Sequence, residues 1–449
     1  MSGPLRPSTS EMADQTVAVI GLGYVGLTLA TVMANAGLRV YGIERRPEIV
    51  DATARGIPHF SEIGLAERLR RAVDAGKLIA ARVLPPDHGC TVFIITVGTP
   101  LDTAGRARTD MIEAATHEVA DAMSDGALVV IRSTVKIGTT RNIVAPILAA
   151  TGKSFYIAMC PERTLEGRAL QELHQLPQIV GADDAPTLHR ASRLFESHTT
   201  RCVQVSSLET AEVIKLADNT YRDVQFGFAN EVARLCNRLG VNAYEVIEAG
   251  KLGYERTNIA LPGPVGGPCL EKDPHILRQS LADMGMDLPI TAAARAINEM
   301  QPGETAAFMC ARLSRIEAPI AAIAGLAFKG KPETDDLRGA MSLRIIAELK
   351  ARRPDMRLRV FDPVIANETL SALGFEPYGS IEAALEGAHL LVIANNHPLF
   401  ERLDPAQLRK AMATNGLIYD YWNNFGYLDE SERVALNYFA LGDHREGRE

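Results

Sequence analysis

An α/β protein with two doubly wound sheets and a helical middle is predicted by three observations. Short apolar runs alternate with longer amphipathic stretches from Thr16 onward. From Glu209 to about Leu239 that rhythm gives way to sustained helical periodicity. A second alternating region then begins at Pro319. At 449 residues the chain exceeds one ordinary core, so two or three domains are expected.

Taken in order, residues 1–15 are rich in Ser and Pro, lack an apolar signal core, and read as a disordered leader with Met12 an alternative start. Residues 16–20, 38–43, 91–96, 127–131 and 154–158 read as buried strands separated by segments of helical length. This defines a Rossmann-like domain over 16–207. The periodic stretch 209–239 contains one glycine, Gly227, and would form a helix of about 45 Å. That length suits a connector between domains and a subunit interface. It opens a central helical region, 208–312, which includes a glycine-rich loop with a cysteine. Residues 319–325, 358–362, 389–394 and 417–421 supply the strands of a second, smaller Rossmann-like domain over 313–449.

Composition narrows the partners. With 47% hydrophobic and 23% charged residues the chain reads as soluble and globular. Its net charge of −8 is spread with both signs mixed, and no basic block tracks a phosphate backbone. Nucleic acid is therefore not expected, and a phosphate-bearing ligand must be held by a few placed cations and backbone N–H groups. Cys90, Cys160, Cys202, Cys236, Cys269 and Cys310 lack paired spacing. Neither a disulfide framework nor a metal site follows, and a reduced cytoplasm is the simplest compartment. No run approaches the roughly 20 apolar residues of a membrane span.

Gly21-Leu-Gly23-Tyr24-Val25-Gly26 follows an apolar strand and opens a helix, the context a dinucleotide fingerprint requires. Gly21 and Gly23 permit a tight turn close to a pyrophosphate, and Gly26 lets the helix pack on the strand. Glu44 ends the next strand, where it suits a ribose 2′-hydroxyl and repels a 2′-phosphate, which favours NAD. Arg45 and Arg46 follow directly, and Arg45 joins the cofactor candidates although such arginines are usually solvated. Thr99, in Thr96-Val-Gly98-Thr99-Pro100, leaves a strand end where a dinucleotide would lie.

Cys269 stands in Pro262-Gly-Pro-Val-Gly-Gly-Pro-Cys-Leu-Glu-Lys-Asp273. A cysteine in an open glycine-rich loop, in a chain with a nicotinamide fingerprint, can trap an aldehyde. The fingerprint and this loop are joined in order by Ser133-Thr134-Val135 with Gly138-Thr-Thr140, Pro161-Glu162-Arg163, Ala211-Glu-Val-Ile-Lys215 with Asn219, and Gly325-Leu-Ala-Phe-Lys329 with Asp335-Asp-Leu-Arg338. In these motifs, from about residue 16 to 425, the chain resembles the UDP-glucose/GDP-mannose dehydrogenase family. The resemblance implies oxidation of the C6 hydroxymethyl of a nucleotide sugar to a carboxylate with two NAD. Cys269 would then add to the aldehyde, and oxidation of the thiohemiacetal would give a thioester that water releases as the acid.

The resemblance also distributes roles. Lys215 and Asn219 share one helix face and would stabilise a developing oxyanion; read alone, Lys215 would form a surface pair with Glu212. Glu162 or Glu166 would assist thioester hydrolysis, with Asp273 and Thr134 positioning the water. Thr134 also joins the cofactor set, and its hydroxyl has an alternative use as a helix or turn cap. Lys329 and Arg338 would contact the sugar nucleotide, with Phe328 and Gly266 beside them. Arg256 matches an arginine that in the family reaches the neighbouring subunit's sugar site, which implies at least a dimer.

Within the family, Pro161-Glu-Arg163, Asn219-Thr-Tyr-Arg-Asp-Val224, Ala229-Asn-Glu231 and the closing Asp273-Pro274 are similar to the UDP-N-acetylhexosamine 6-dehydrogenases. Arg163 stands where the UDP-glucose branch usually carries an aromatic residue and could hydrogen-bond an acetamido carbonyl. Three features depart from that branch: Pro268 precedes the cysteine, the glycine loop is one glycine shorter, and Glu166 and Lys272 resemble the glucose branch. The reading is a UDP-N-acetylhexosamine dehydrogenase making a UDP-hexuronic acid for surface polysaccharide or a glycoside. UDP-glucose or GDP-mannose are the alternative substrates. The rival classes are a two-electron hydroxyacid dehydrogenase and a nucleotide-sugar-binding regulator without catalysis.

Overall fold

Buried apolar runs become strands in the computed structural model, which describes residues 15–445. The proposed leader, Gln15 apart, lies outside the described residues. The first sheet contains β1 (Thr16–Ile20), β2 (Arg39–Ile43), β3 (Leu78–Ala81), β4 (Val92–Ile95), β5 (Ala127–Ile131), β6 (Phe155–Met159), β7 (Gln178–Gly181) and β8 (Cys202–Val205). Their order is β3-β2-β1-β4-β5-β6-β7-β8. Along β1, Val17 and Val19 enter one core while Ala18 and Ile20 enter the other. A sheet covered on both faces needs such uninterrupted apolar strands.

The first six strands are parallel, as a doubly wound sheet requires. β7 then meets β6 antiparallel through Met159 and Gly181, and β8 runs parallel to β7. The predicted parallel sheet is thus extended by a reversed pair. Between Met159 and Gln178 the chain forms a loop and the short helix Ala169–Gln175. That loop carries the Pro161-Glu162-Arg163 motif at the end of β6.

The described residues divide into two compact units. The first runs through Asp218 and adds His275–Met286; the second holds Asn219–Pro274 and the chain from Asp287 onward. Helix α1 (Tyr24–Asn35) follows β1, and the predicted long helix is α2 (Leu208–Leu239), 32 residues. Within the second unit, α2 packs against a later helix, Pro289–Arg312. A Cβ on Gly227 would come 2.8 Å from Ala294 Cβ, so the lone glycine of α2 permits this approach.

The second sheet contains β9 (Ile320–Ala324), β10 (Arg357–Phe361), β11 (Leu390–Ile393), β12 (Leu417–Asp420) and β13 (Tyr438–Ala440). It is parallel throughout, in the order β10-β9-β11-β12-β13. The strand order reverses beside β9, and the crevice at strand C-termini there is the usual ligand position in such sheets. Among the described residues no helix is long and apolar enough to cross a membrane.

Candidate active site

The fingerprint turn of the first unit depends on two glycines. Gly21 has φ +94° and donates its N–H to Ile43 O at 2.7 Å. A Cβ on Gly26 would lie 1.8 Å from Gly21 O, a contact only glycine avoids. Gly23 instead faces open space and caps α1 without a side chain. Thr96 Oγ1 braces the turn by donating to Gly21 O at 2.7 Å. The result is a helix N-terminus with backbone donors and, at its glycine cap, no side-chain hydrogen bond among the described residues, a form that fits a pyrophosphate.

Glu44 lies at the end of β2 as predicted, buried, with Leu22 N–H donating to its Oε2 at 3.2 Å. Burial raises its carboxyl, but hydrogen bonds from Arg46 outweigh this and hold it below the ordinary range. Arg45 points elsewhere and pairs with Glu118 at 2.6 Å on the surface. The Tyr24 hydroxyl donates to the Glu62 carboxylate and accepts the Gly167 N–H at 3.0 Å. Burial, followed by the Glu62 contact, pushes this phenol well above its ordinary value. Tyr24 therefore ties the fingerprint helix to the loop carrying Glu166, which is half-buried, while Val25 is half-buried on the helix. Thr99 Oγ1 donates to Thr134 O at 2.5 Å, and the two residues line a small cavity with Lys136 and Thr139.

Behind this surface lies an ion pair that sequence reasoning missed. Arg132, fully buried at the end of β5, donates through Nε and Nη2 to Glu162 Oε2 at 3.0 and 2.5 Å. Its Nη1 reaches Gln178 Oε1 at 2.8 Å. Glu162 Oε1 accepts the N–H groups of Arg163 and Thr164 at 2.8 and 2.7 Å. Burial would raise the Glu162 carboxyl, yet Arg132, the Thr164 N–H and the Lys215 charge bring it down to about 2. Both oxygens are occupied, so Glu162 is a fixed anion. The clue in the sequence was a lone charge directly after an apolar strand.

Lys215 sits within the electrostatic reach of that anion at only 6% exposure. Among the described residues it makes no hydrogen bond or ion pair. The surface pair with Glu212 is not formed: Glu212 is buried and accepts from Gly138 N at 2.5 Å and from Thr140 N and Oγ1 at 3.0 and 2.6 Å. A buried lysine without a hydrogen bond is costly for folding, and among the described residues only the charge of Glu162 offsets that cost. Arg163, the residue matched to an acetamido group, donates to Pro177 O at 2.8 Å and lies 3.5 Å from Asp218.

His198, beside Arg132, carries a pH prediction. Burial, then Arg132 and His174, bring its imidazole down to about 3 from an ordinary 6.5. Between those values the unfolded chain binds the proton and the folded chain does not, so stability falls as pH drops, by at most about 1.4 kcal/mol per pH unit. Thermal melting of the wild type is expected to fall more steeply from pH 6.5 toward pH 4 than that of His198→Gln. Equal slopes would refute this assignment.

In the second unit, Cys269 is the exposed member of the six cysteines, all of them described. Burial raises the other thiols, Cys90 and Cys202 to about 12. Cys269 rides on a short turn, Gly267–Leu270, with Pro268 in its first positions, where a missing N–H costs little. The loop seats on the C-terminal domain. A Cβ on Gly266 would meet Gly339 O at 2.2 Å, and one on Gly267 would meet Phe328 Cδ2 at 2.5 Å. Gly267 also has φ +90° and donates to Gly339 O at 2.8 Å. Upstream, the ring of Trp422 lies 3.3 Å from where a Gly263 Cβ would stand.

Asn219 Nδ2 donates to Asp273 Oδ2 at 2.6 Å, and Lys272 Nζ donates to Asp273 Oδ1 at 2.6 Å. Asp273 is completely buried between them. Lys272 is thus engaged by Asp273. Lys329 Nζ lies 5.2 Å from the Phe328 ring centre, and Arg338 pairs with Asp336 at an exposed position. Arg256 is exposed, over the Tyr254 ring at 4.6 Å. Asn219 with Asp273 and Gly266–Gly267 with Phe328 are the predicted residues this unit brings together. Among the described residues no group of three or more His, Cys, Asp or Glu could hold a metal ion.

Three family models match in order: the NAD binding domain of the UDP-glucose/GDP-mannose dehydrogenase family over residues 15–199, its central domain over 209–300, and its UDP binding domain over 322–426. A UDP-N-acetyl-D-mannosamine dehydrogenase of Pyrococcus horikoshii is 34% identical over 88% of this chain and 93% of its own. An NDP-N-acetyl-D-galactosaminuronic acid dehydrogenase of Ralstonia nicotianae is 32% identical over 90% and 96%. Among solved structures, the UDP-D-ManNAc dehydrogenase of P. horikoshii aligns with a TM-score of 0.85 and 33% identity, over 96% of this chain and 100% of that one. A UDP-glucose dehydrogenase of Pyrobaculum islandicum aligns with a TM-score of 0.83 and 30% identity, over 93% and 96%. With its fingerprint turn, its exposed cysteine loop and all three domain models in sequence, this chain is an NAD-dependent enzyme of the UDP-glucose/GDP-mannose dehydrogenase family.

Proposed function

We propose that this enzyme oxidises the C6 hydroxymethyl of a UDP-N-acetylhexosamine to the carboxylate, a four-electron reaction using two NAD. The observation that carries this reading is the seat of Cys269: an exposed thiol on a loop docked by Gly266 and Gly267 against the domain matched to UDP binding. The names of the relatives support the acetamido sugar.

The fingerprint fits the cofactor, with Gly21, Gly23 and the α1 N-terminus for the pyrophosphate and Glu44 for the ribose; NAD, when bound, supplies a hydride acceptor for each oxidation. Cys269 adds through its sulfur to the C6 aldehyde, and the resulting thiohemiacetal loses hydride to become a thioester. Lys215 and Asn219, one turn apart on α2, stabilise the oxyanion of that adduct. The fixed anion Glu162 orients Lys215 and, with both oxygens committed, does not take protons. Asp273 is committed in the same way, to Asn219 and Lys272, so Glu166 is the carboxylate assigned to receive the proton of the hydrolytic water, with Thr134 helping to position it. Hydrolysis returns the thiol and releases the uronic acid. Lys329 and Arg338 hold the diphosphate.

The working unit is a homodimer built on α2. Tyr221, Phe228, Leu235 and Leu239 recur along α2 and are each more than half exposed. Their spacing places them on one helix face, a pattern suited to a second helix. Arg256 then serves the neighbouring subunit's sugar.

The deciding assay is NADH formed per sugar consumed, with UDP-N-acetylglucosamine, UDP-N-acetylmannosamine, UDP-glucose and GDP-mannose offered separately. Two NADH per acetamido sugar is the expected result. Two NADH only from UDP-glucose would move the substrate to the branch of the Pyrobaculum enzyme, and one NADH per sugar would remove the thioester step.

A further inference from the structure

Buried polar side chains behind the cysteine loop have no part in the chemistry above. Asp223 and Asn230 lie on α2, and Arg295 and Asn298 on Pro289–Arg312; none exceeds 1% exposure. Arg295 Nη1 donates to Asp223 Oδ1 at 2.6 Å and to Leu270 O at 2.7 Å, and Nη2 reaches Val265 O at 3.4 Å. Its Nε lies 3.4 Å from Glu299 Oε1. Asn298 Nδ2 donates to Asp223 O and Oδ1 at 3.0 and 2.9 Å. Asn230 Nδ2 donates to Asn298 Oδ1 at 2.9 Å and to Gly263 O at 3.0 Å, and its Oδ1 accepts the Gly263 N–H at 3.0 Å.

Three backbone sites of one loop are therefore held: Gly263, Val265 and Leu270. The last two bracket Gly266-Gly267-Pro268-Cys269. Buried ion pairs are poor stabilisers, since apolar side chains of similar volume serve as well. The guanidinium here spends its donors on both ends of a segment whose two glycines have little stiffness of their own. Lysine would keep the charge opposite Asp223 but cannot span two carbonyls.

We infer that Arg295, supported by Asp223, Asn298 and Asn230, is a positioning residue that fixes the backbone carrying Cys269 for attack. The inference deepens the assignment of Cys269 as nucleophile and rests on it. The test uses Arg295→Lys and Asn230→Ser in the full-length enzyme. Thermal melting establishes that each is folded, and amide hydrogen exchange reads residues 263–272. Steady-state kinetics separates kcat from KM.

In a folded Arg295→Lys variant, exchange in 263–272 should rise about 10-fold while α2 keeps its protection. The kcat should fall about 100-fold with KM changed by less than about 3-fold. Asn230→Ser should show the same signs more weakly, and it decides the matter if Arg295→Lys does not fold. Loop exchange that rises without loss of kcat, or kcat that falls with unchanged loop exchange, overturns the inference. So does wild-type behaviour in both. Failure of the functional reading is separate, because it appears as a wild-type enzyme that forms no NADH. Exchange and the alkylation rate of Cys269 by iodoacetamide then still report on the loop.

Discussion

Cys269→Ser is expected to lower steady-state NADH production by on the order of 10³-fold or more, while NAD and UDP still bind. A serine hydroxyl ionises far above neutral pH and adds poorly to the aldehyde, and an alkoxide leaves an ester less readily than a thiolate leaves a thioester. No other cysteine can substitute: the remaining five are buried or half-buried and their thiols are raised. The second oxidation should suffer most, so NADH per sugar should fall below two. Calorimetry with UDP and NAD, run beside the turnover assay, separates lost chemistry from lost binding. Turnover within a few-fold of wild type would make Cys269 a spectator and favour a two-electron dehydrogenase.

Lys215→Met is expected to cost about 10²- to 10³-fold in kcat, the scale of removing one donor from an oxyanion site. Its effect on folding should have the opposite sign. Wild-type Lys215 is buried without a hydrogen bond or ion pair among the described residues, whereas Glu162 retains Arg132 in the variant. Replacing such a cation by an apolar side chain of similar length should leave stability unchanged or raise it by about 1 kcal/mol. Thermal melting and kcat measured together check both signs. A variant that melts early and retains activity per folded molecule would return Lys215 to a structural role.

The legible parts of the sequence were those set by local geometry. The Gly21–Gly26 turn, Glu44 and the buried strands around β1 could be read because the backbone or full burial permits few residue types there. The strands that escaped notice are short: β3 and β8 are only partly buried, so their apolar pattern is diluted, and β13 has three residues. β7 was hidden for another reason, since its reversal against β6 depends on a loop that no periodicity marks. Of the site, Cys269, Lys215, Asn219 and Asp273 were named in advance, but Arg132 and Arg295 were not. Their partners, Glu162 and Asp223, lie 30 and 72 residues away in the chain. Arg45 stood among the cofactor candidates, whereas the structure pairs Arg45 with Glu118 on the surface and turns Arg46 to Glu44.

Trp422 is the chain's one tryptophan, and its ring rests against the backbone at Gly263, where Asn230 anchors the segment leading to Cys269. Its indole N–H donates to Ala394 O at 3.2 Å, which ties the ring to the end of β11. Tryptophan emission, excited at wavelengths where tyrosine does not absorb, therefore originates at a single point, shared by the second sheet and the segment leading to Cys269. Any change in the packing between that segment and β11 can be followed in real time in the unlabelled enzyme, with no tryptophan elsewhere to dilute the signal.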